Sequence, residues 1–354
     1  MSLLNDREAI AAGDPGGMLG HLEGFSNQLR VAAEIGEDCA ISRSSSGISS
    51  VVVIGMGGSA IGGEFAQGYL YDRLRVPMQV VRGYQLPAHV GPDTLVVTSS
   101  YSGNTEETLA SYSEAVSRGA KPICFTTGGE LARRAREAGH DVVVIPPGLP
   151  PRAALGLSLV PLLKILGRLG LAPDATPEIN EGIEMTAKLA EEYGATIPSD
   201  GNPAKDLAEW FHGHVPVVYG SVPWVSVVAT RWCGQFSENS KIVAHRNELP
   251  EMNHNEIVGW SAHSPLTEMA RVVFLCDSED HKRVARRIEI TRESIASTGA
   301  LVRSVESRGA SRLARLLSLV VLGDFASLYL AVLAGVDPTP VRPIDKLKAE
   351  LADS

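Results

Sequence analysis

Residues 51–65 read Val51-Val52-Val53-Ile54-Gly55-Met56-Gly57-Gly58-Ser59-Ala60-Ile61-Gly62-Gly63-Glu64-Phe65. The β-branched run predicts a buried strand over 51–54. The glycines after it predict a tight turn into a helix over 59–71. Working outward, strands are expected at 78–81, 95–98, 122–125 and 142–145, and helices at 104–117 and 130–138. Short apolar strands alternating with helices imply a parallel sheet covered on both faces. Residues 146–151 (PPGLPP) break the rhythm, and a helix resumes over 153–169. A polar connection follows, with a helix at 179–193 and a loop at 198–202. A second α/β pattern then begins: a strand at 215–219, Gly220-Ser221, a helix at 224–236 and a short strand at 241–244. Strand, helix, strand follow at 271–275, 280–297 and 300–305, then a long helix at 313–334 and a short one at 345–351. The fold class is therefore α/β, with two consecutive domains, each a mainly parallel sheet flanked by helices. The boundaries read as 1–152, a helical connection over 153–204, and 205–354. Both halves present strand, Gly-Ser, helix, at Gly58-Ser59 and Gly220-Ser221.

The 354 residues suffice for two such domains, and 44% hydrophobic with 21% charged residues is an ordinary globular balance. With 32 Lys+Arg against 41 Asp+Glu, the formal charge is −9, which argues against a broad nucleic-acid surface. The 4 cysteines are far apart with no CxxC pair, so reduced thiols are expected rather than a disulfide framework. The opening residues show no basic-then-apolar leader. The apolar run 313–336 is interrupted by Arg315, Gly323 and Asp324 and reads as a buried helix rather than a membrane span. A cytoplasmic protein is expected.

Gly55, Gly57 and Ala60 match G-x-G-x-x-[GA], so a dinucleotide turn is one reading. The acid expected at the end of the second strand is missing, because that strand ends Val80-Val81-Arg82-Gly83. Arg82 would suit a 2′-phosphate, which leaves an NADP-dependent oxidoreductase open. A turn used only for packing is another reading. The favoured one is a phosphate cradle without a nucleotide, with Gly58 and Ser59 at a helix N-terminus whose free N–H groups attract an anion. The next strand leads into Ser99-Ser100-Tyr101-Ser102-Gly103-Asn104-Thr105-Glu106-Glu107-Thr108. Ser100, Ser102 and Thr105 can donate O–H bonds to a phosphate while the Gly103 region supplies N–H. The plainer alternative is N-capping by Ser102 or Asn104.

GMGGSAIGGEF, SYSGNTEET, ENSK and NELPEMNHNEIVGW, in that order, resemble the sugar-isomerase (SIS) domains, and more narrowly the bifunctional phosphoglucose/phosphomannose isomerases. The resemblance runs from about residue 25 to 350. It implies two SIS-type domains and interconversion of glucose 6-phosphate and mannose 6-phosphate with fructose 6-phosphate, through a cis-enediol and without metal or other cofactor. It implies that Glu238 shuttles the proton. His254 would open the ring at O5, a task suited to an imidazole near neutral pH, and would reach the site from the partner subunit of a homodimer. Arg152 would stabilise the enediolate, whose two adjacent oxygens suit a guanidinium. Lys346 would assist ring opening. Thr339 would orient a water and leave room for either C2 epimer. His245, His254 and Glu256 are the conceivable metal ligands, but they lack HxH or HExxH spacing. The alternatives are a non-catalytic phosphosugar-binding SIS protein and an isomerase of a different phosphosugar. Neither a nucleic-acid nor a membrane partner is expected.

Overall fold

The computed structural model describes residues 2–261 and 263–352. It divides into two compact units. One holds residues 24–186 and 309–316; the other holds 2–23, 187–308 and 317–352. Each carries one sheet.

The first unit has a five-stranded, wholly parallel sheet: β1 (Ser50–Ile54), β2 (Met78–Val81), β3 (Thr94–Ser99), β4 (Ile123–Thr126) and β5 (Val142–Val144), in the order β2-β1-β3-β4-β5. β1 and β3 are buried along their whole length, which is why both read as unbroken apolar or small runs. On one face Val52, Ile54, Val81, Val96 and Ala115 share a core. Helices Gly57–Tyr69, Glu106–Ser117 and Gly129–Glu137 follow β1, β3 and β4. The chain runs outward from β1 to β2, then crosses back to β3 on the other side. The strand order therefore reverses between β1 and β3, and in open parallel sheets the carboxyl ends at such a switch point are where ligands bind.

The second unit has four parallel strands, β6 (Val215–Ser221), β7 (His245–Leu249), β8 (Ala270–Cys276) and β9 (Leu301–Glu306), in the order β7-β6-β8-β9. Helix Val225–Glu238 joins β6 to β7, and Lys282–Ala296 joins β8 to β9. Among the described residues one helix, Arg312–Leu333, is long and apolar enough to cross a membrane. Of its most apolar stretch, 94% is buried inside the protein, as expected of a core helix.

Two expectations are corrected. No strand forms at 241–244. Lys241 adopts φ +57, incompatible with extended backbone, and the strand is the next segment, His245-Arg246-Asn247-Glu248-Leu249. That sequence is polar because β7 is an edge strand with its first residues exposed, so alternation and burial leave little apolar signal. The Gly-Ser repeat is also not equivalent in the two halves. Gly58-Ser59 opens a helix, whereas Gly220-Ser221 lies within β6, and its helix starts after a cis Val222–Pro223 bond. Gly220 is needed for close packing: a Cβ there would stand 2.7 Å from the Val225 carbonyl oxygen. Ser221 donates its hydroxyl to Asp280, so an acid occupies the place where the first half offers hydroxyls.

Candidate active site

In the first unit, helices Gly57–Tyr69 and Glu106–Ser117 start beyond neighbouring strands, and neither has a side-chain cap. Their leading N–H groups, with the positive ends of both dipoles, follow the carboxyl ends of β1 and β3. The helix after β3 begins two residues later than expected, and Thr105, not Ser102 or Asn104, occupies its N-cap position. The Asn104 side chain instead accepts from Glu130 N at 2.9 Å, and Ser102 Oγ accepts from Asn104 N at 3.2 Å. Ser100 is buried. Its hydroxyl donates to Thr105 Oγ1 at 3.0 Å and its oxygen accepts from Gly103 N at 3.1 Å. Thr105 thereby keeps its own O–H to donate outward. Gly103 sits at φ +72 against the Gly128 carbonyl, only 1.9 Å from where a Cβ would be. No other residue fits this turn.

The two turns are tied together. Tyr101 N donates to Ser59 Oγ at 3.1 Å. The Tyr101 hydroxyl donates to Pro146 O at 2.9 Å and accepts from Leu149 N at 3.0 Å, fastening the proline-rich segment. Sequence reasoning missed this brace; an aromatic in the midst of a serine loop was its only signal. Arg152 lies in a single 3-10 turn, Pro151–Ala153, and is 4% exposed, so it is no surface arginine. Gln28 holds that turn from behind, donating to Ala153 O at 2.7 Å and accepting from Gly156 N at 2.8 Å. Arg82 pairs with Glu64, so the side chain suited to a 2′-phosphate is engaged elsewhere.

In the second unit, Glu238 is the last residue of helix Val225–Glu238. The helix is anchored by a buried ion pair, Arg231 with Asp324 at 3.0 and 2.6 Å, to which Gln235 adds a 2.8 Å hydrogen bond. Beyond its end, Asn239 Nδ2 donates to Ser327 Oγ at 2.9 Å and Ser240 Oγ to Ser327 O at 2.6 Å. Lys241 Nζ donates to the Glu238 carbonyl and, at 3.1 Å, to the Pro338 carbonyl. This bridge brings the segment bearing Thr339 to the end of the helix bearing Glu238. Thr339 packs on Gly16, where a Cβ would stand 2.2 Å from Thr339 Oγ1. Lys241 was not foreseen in this role.

His254 ends the 3-10 turn Glu251–His254 after β7. It is exposed, and its imidazole makes no hydrogen bond or ion pair among the described residues. His245 Nε2 lies 2.9 Å from Glu256 Oε2. Among the described residues, no three His, Cys, Asp or Glu side chains are grouped as a metal site would need. Lys346 lies in helix Arg342–Ala352, exposed, 3.6 Å from Glu350. The expected residues thus fall into two sets: Gly58, Ser59, Ser100, Ser102, Thr105 and Arg152 in the first unit; Glu238, His254, Thr339 and Lys346 in the second.

Residues 46–145 match the SIS domain family, and residues 200–351 match the bacterial phospho-glucose isomerase C-terminal SIS domain. The chain is 45% identical over 326 residues to a bifunctional phosphoglucose/phosphomannose isomerase of Caldicellulosiruptor bescii, covering 92% of this chain and 96% of that protein. It is 39% identical to the protein of the same name from Aquifex aeolicus, covering 93% and 97%. A crystal structure of a hypothetical protein from Thermus thermophilus shares the fold, with a TM-score of 0.74 at 18% identity over 98% of this chain and 93% of that one. The chain, with two SIS domains built on parallel sheets, belongs to the bifunctional phosphoglucose/phosphomannose isomerase family of enzymes.

Proposed function

We propose that the protein interconverts glucose 6-phosphate and mannose 6-phosphate with fructose 6-phosphate by metal-independent proton transfer through a cis-enediol. The observation that carries this is the pair of uncapped helix N-termini flanking β1 and β3, joined by the Tyr101–Ser59 hydrogen bond. They offer fixed N–H groups, and the Ser59, Ser100, Ser102 and Thr105 hydroxyls lie on the same turns. A phosphate dianion suits such a set of donors, and no basic patch is needed. This accords with the acidic net charge.

In this reading Glu238 takes the proton from C1 or C2 of the open-chain sugar and returns it to the other carbon. The buried Arg231–Asp324 pair keeps its helix end in place for that task. Arg152 holds the two enediolate oxygens as charge develops on them. His254 and Lys346 exchange a proton with the ring oxygen during opening. Thr339 shapes the space at C2, so that protonation on either face yields glucose or mannose 6-phosphate. His254 acts in a second copy's site. Its exposed imidazole supports this, as do Val243 and Val258, 82% and 70% exposed, beside the edge strand β7.

NMR of the protein with fructose 6-phosphate in D₂O and EDTA tests the reading. Glucose and mannose 6-phosphates, both deuterated at C2, are expected. One epimer alone would remove the bifunctional assignment. Binding without turnover would make the protein a phosphosugar binder.

A further inference from the structure

The turn that carries His254 is pinned on both sides. Ahead of it, Met252 is fully buried in the second unit's core, and Asn253 Nδ2 donates to Thr291 Oγ1 at 2.8 Å. Two residues beyond it, the Glu256 carboxylate accepts three side-chain hydrogen bonds. One is from the Tyr219 hydroxyl on β6; the others are from Asn247 Nδ2 at 2.5 Å and His245 Nε2 at 2.9 Å, both on β7. Trp260 Nε1 adds a 2.9 Å bond to the same Tyr219 oxygen. Burial alone would raise the Glu256 pKa, yet the bonds from His245, Tyr219 and Asn247 outweigh it and hold the acid below its usual value. The carboxylate is thus ionised, and charge-assisted bonds of this kind are the stronger ones. An acid half-buried against a tyrosine is a costly way to hold a surface loop unless the loop's placement matters.

We propose that Glu256 is a positioning residue for His254: its carboxylate clamps the turn bearing the imidazole to strands β6 and β7. The proposal rests on His254 acting in ring opening. A misplacement of about 1 Å in such a group costs on the order of a hundredfold in rate.

The test is steady-state kinetics on fructose 6-phosphate with Glu256→Gln, His254→Ala and the double variant. Glu256→Gln keeps the shape but turns an amide donor toward Asn247 and His245. It should lower kcat about ten- to a hundredfold. KM should stay within roughly threefold, because the phosphate is held by other turns. The double variant should be no slower than His254→Ala alone, since Glu256 acts only through His254. A Glu256→Gln enzyme at the wild-type rate, or a double variant slower than His254→Ala by the full Glu256→Gln factor, would overturn the proposal. Wild-type activity in His254→Ala would instead overturn the role of His254, and the clamp's purpose with it. If Glu256→Gln fails to fold, Asn247→Ala removes one arm alone. A several-fold loss of kcat that disappears in the His254→Ala background is then expected, and an unchanged or additive one overturns the proposal.

Discussion

The Pro151 carbonyl oxygen stands 2.4 Å from where a Cβ on Gly58 would be. The glycine turn after β1 and the segment bearing Arg152 are therefore in backbone contact, and the absence of a side chain sets their spacing. Gly58→Ala should cost about 1–3 kcal/mol of stability, as overpacking does. It should also weaken fructose 6-phosphate binding, because either the helix N-terminus or Arg152 must shift. Thermal unfolding and calorimetric titration report both; an unchanged affinity would show that the cradle does not depend on this contact.

Glu238→Gln should remove proton transfer while leaving phosphosugar affinity nearly intact. A loss of about a hundred- to ten-thousandfold in kcat is expected for a positioned acid–base group. If His254 serves a second copy, mixed Glu238→Gln and His254→Ala chains should regain roughly a quarter of wild-type activity. Half the dimers are then mixed, and each has one intact site. No recovery after proven subunit exchange would place both residues in one chain's site.

Asp324 accepts from Arg231 and Gln235 in a buried setting behind the helix that ends at Glu238. Asp324→Ala leaves Arg231 without its carboxylate and should cost about 3–5 kcal/mol by urea denaturation. Replacing both by apolar residues of similar size, as in Arg231→Met with Asp324→Leu, should recover most of that loss. A mild effect from the single change would mean that water or another group takes over the guanidinium.

The hydrogen bond to Glu256 raises the His245 pKa above 6.5, against burial and the nearby Arg246. A raised cationic pKa stabilises the fold fully below the unfolded value and loses that contribution as pH rises through the folded one. Glu256, held low, stays charged in the folded protein even below its usual 4.5, and its own contribution is complete once the pH is above that value. The wild-type advantage in Tm over His245→Gln should thus be largest near pH 6 and shrink toward pH 9. A difference that is constant with pH would show that the pair does not ionise as a unit.

Burial raises the thiols of Cys124, Cys233 and Cys276 to about 12, and that of Cys39 above its usual value. Little thiolate exists near neutral pH, so iodoacetamide should label the native protein slowly and the urea-unfolded protein fast. Fast labelling of Cys124, Cys233 or Cys276 in the native state, read by mass spectrometry, would locate a local opening.

The parallel α/β architecture was legible in the sequence because strands buried on both faces, such as β1 and β3, must be apolar throughout. A turn that approaches other backbone must likewise be glycine, as at Gly58 and Gly103. The hydroxyl-rich loop stood out for a related reason: short polar side chains at a strand's end hold a tight turn by bonding one another, as Ser100 and Thr105 do, and can also offer O–H groups to a ligand. β7 was not legible. An edge strand needs pairing on one side only and tolerates His, Arg, Asn and Glu. Nor did the sequence reveal what holds the candidate residues in place. The Tyr101 brace, the Lys241 bridge from Glu238 to Pro338 and the Glu256 clamp each join residues whose partners lie far away in sequence or on another strand. Hydrogen bonds between distant segments leave no periodicity and no local propensity. Only the tertiary structure decided them, because direction and distance, not residue type, make the bond.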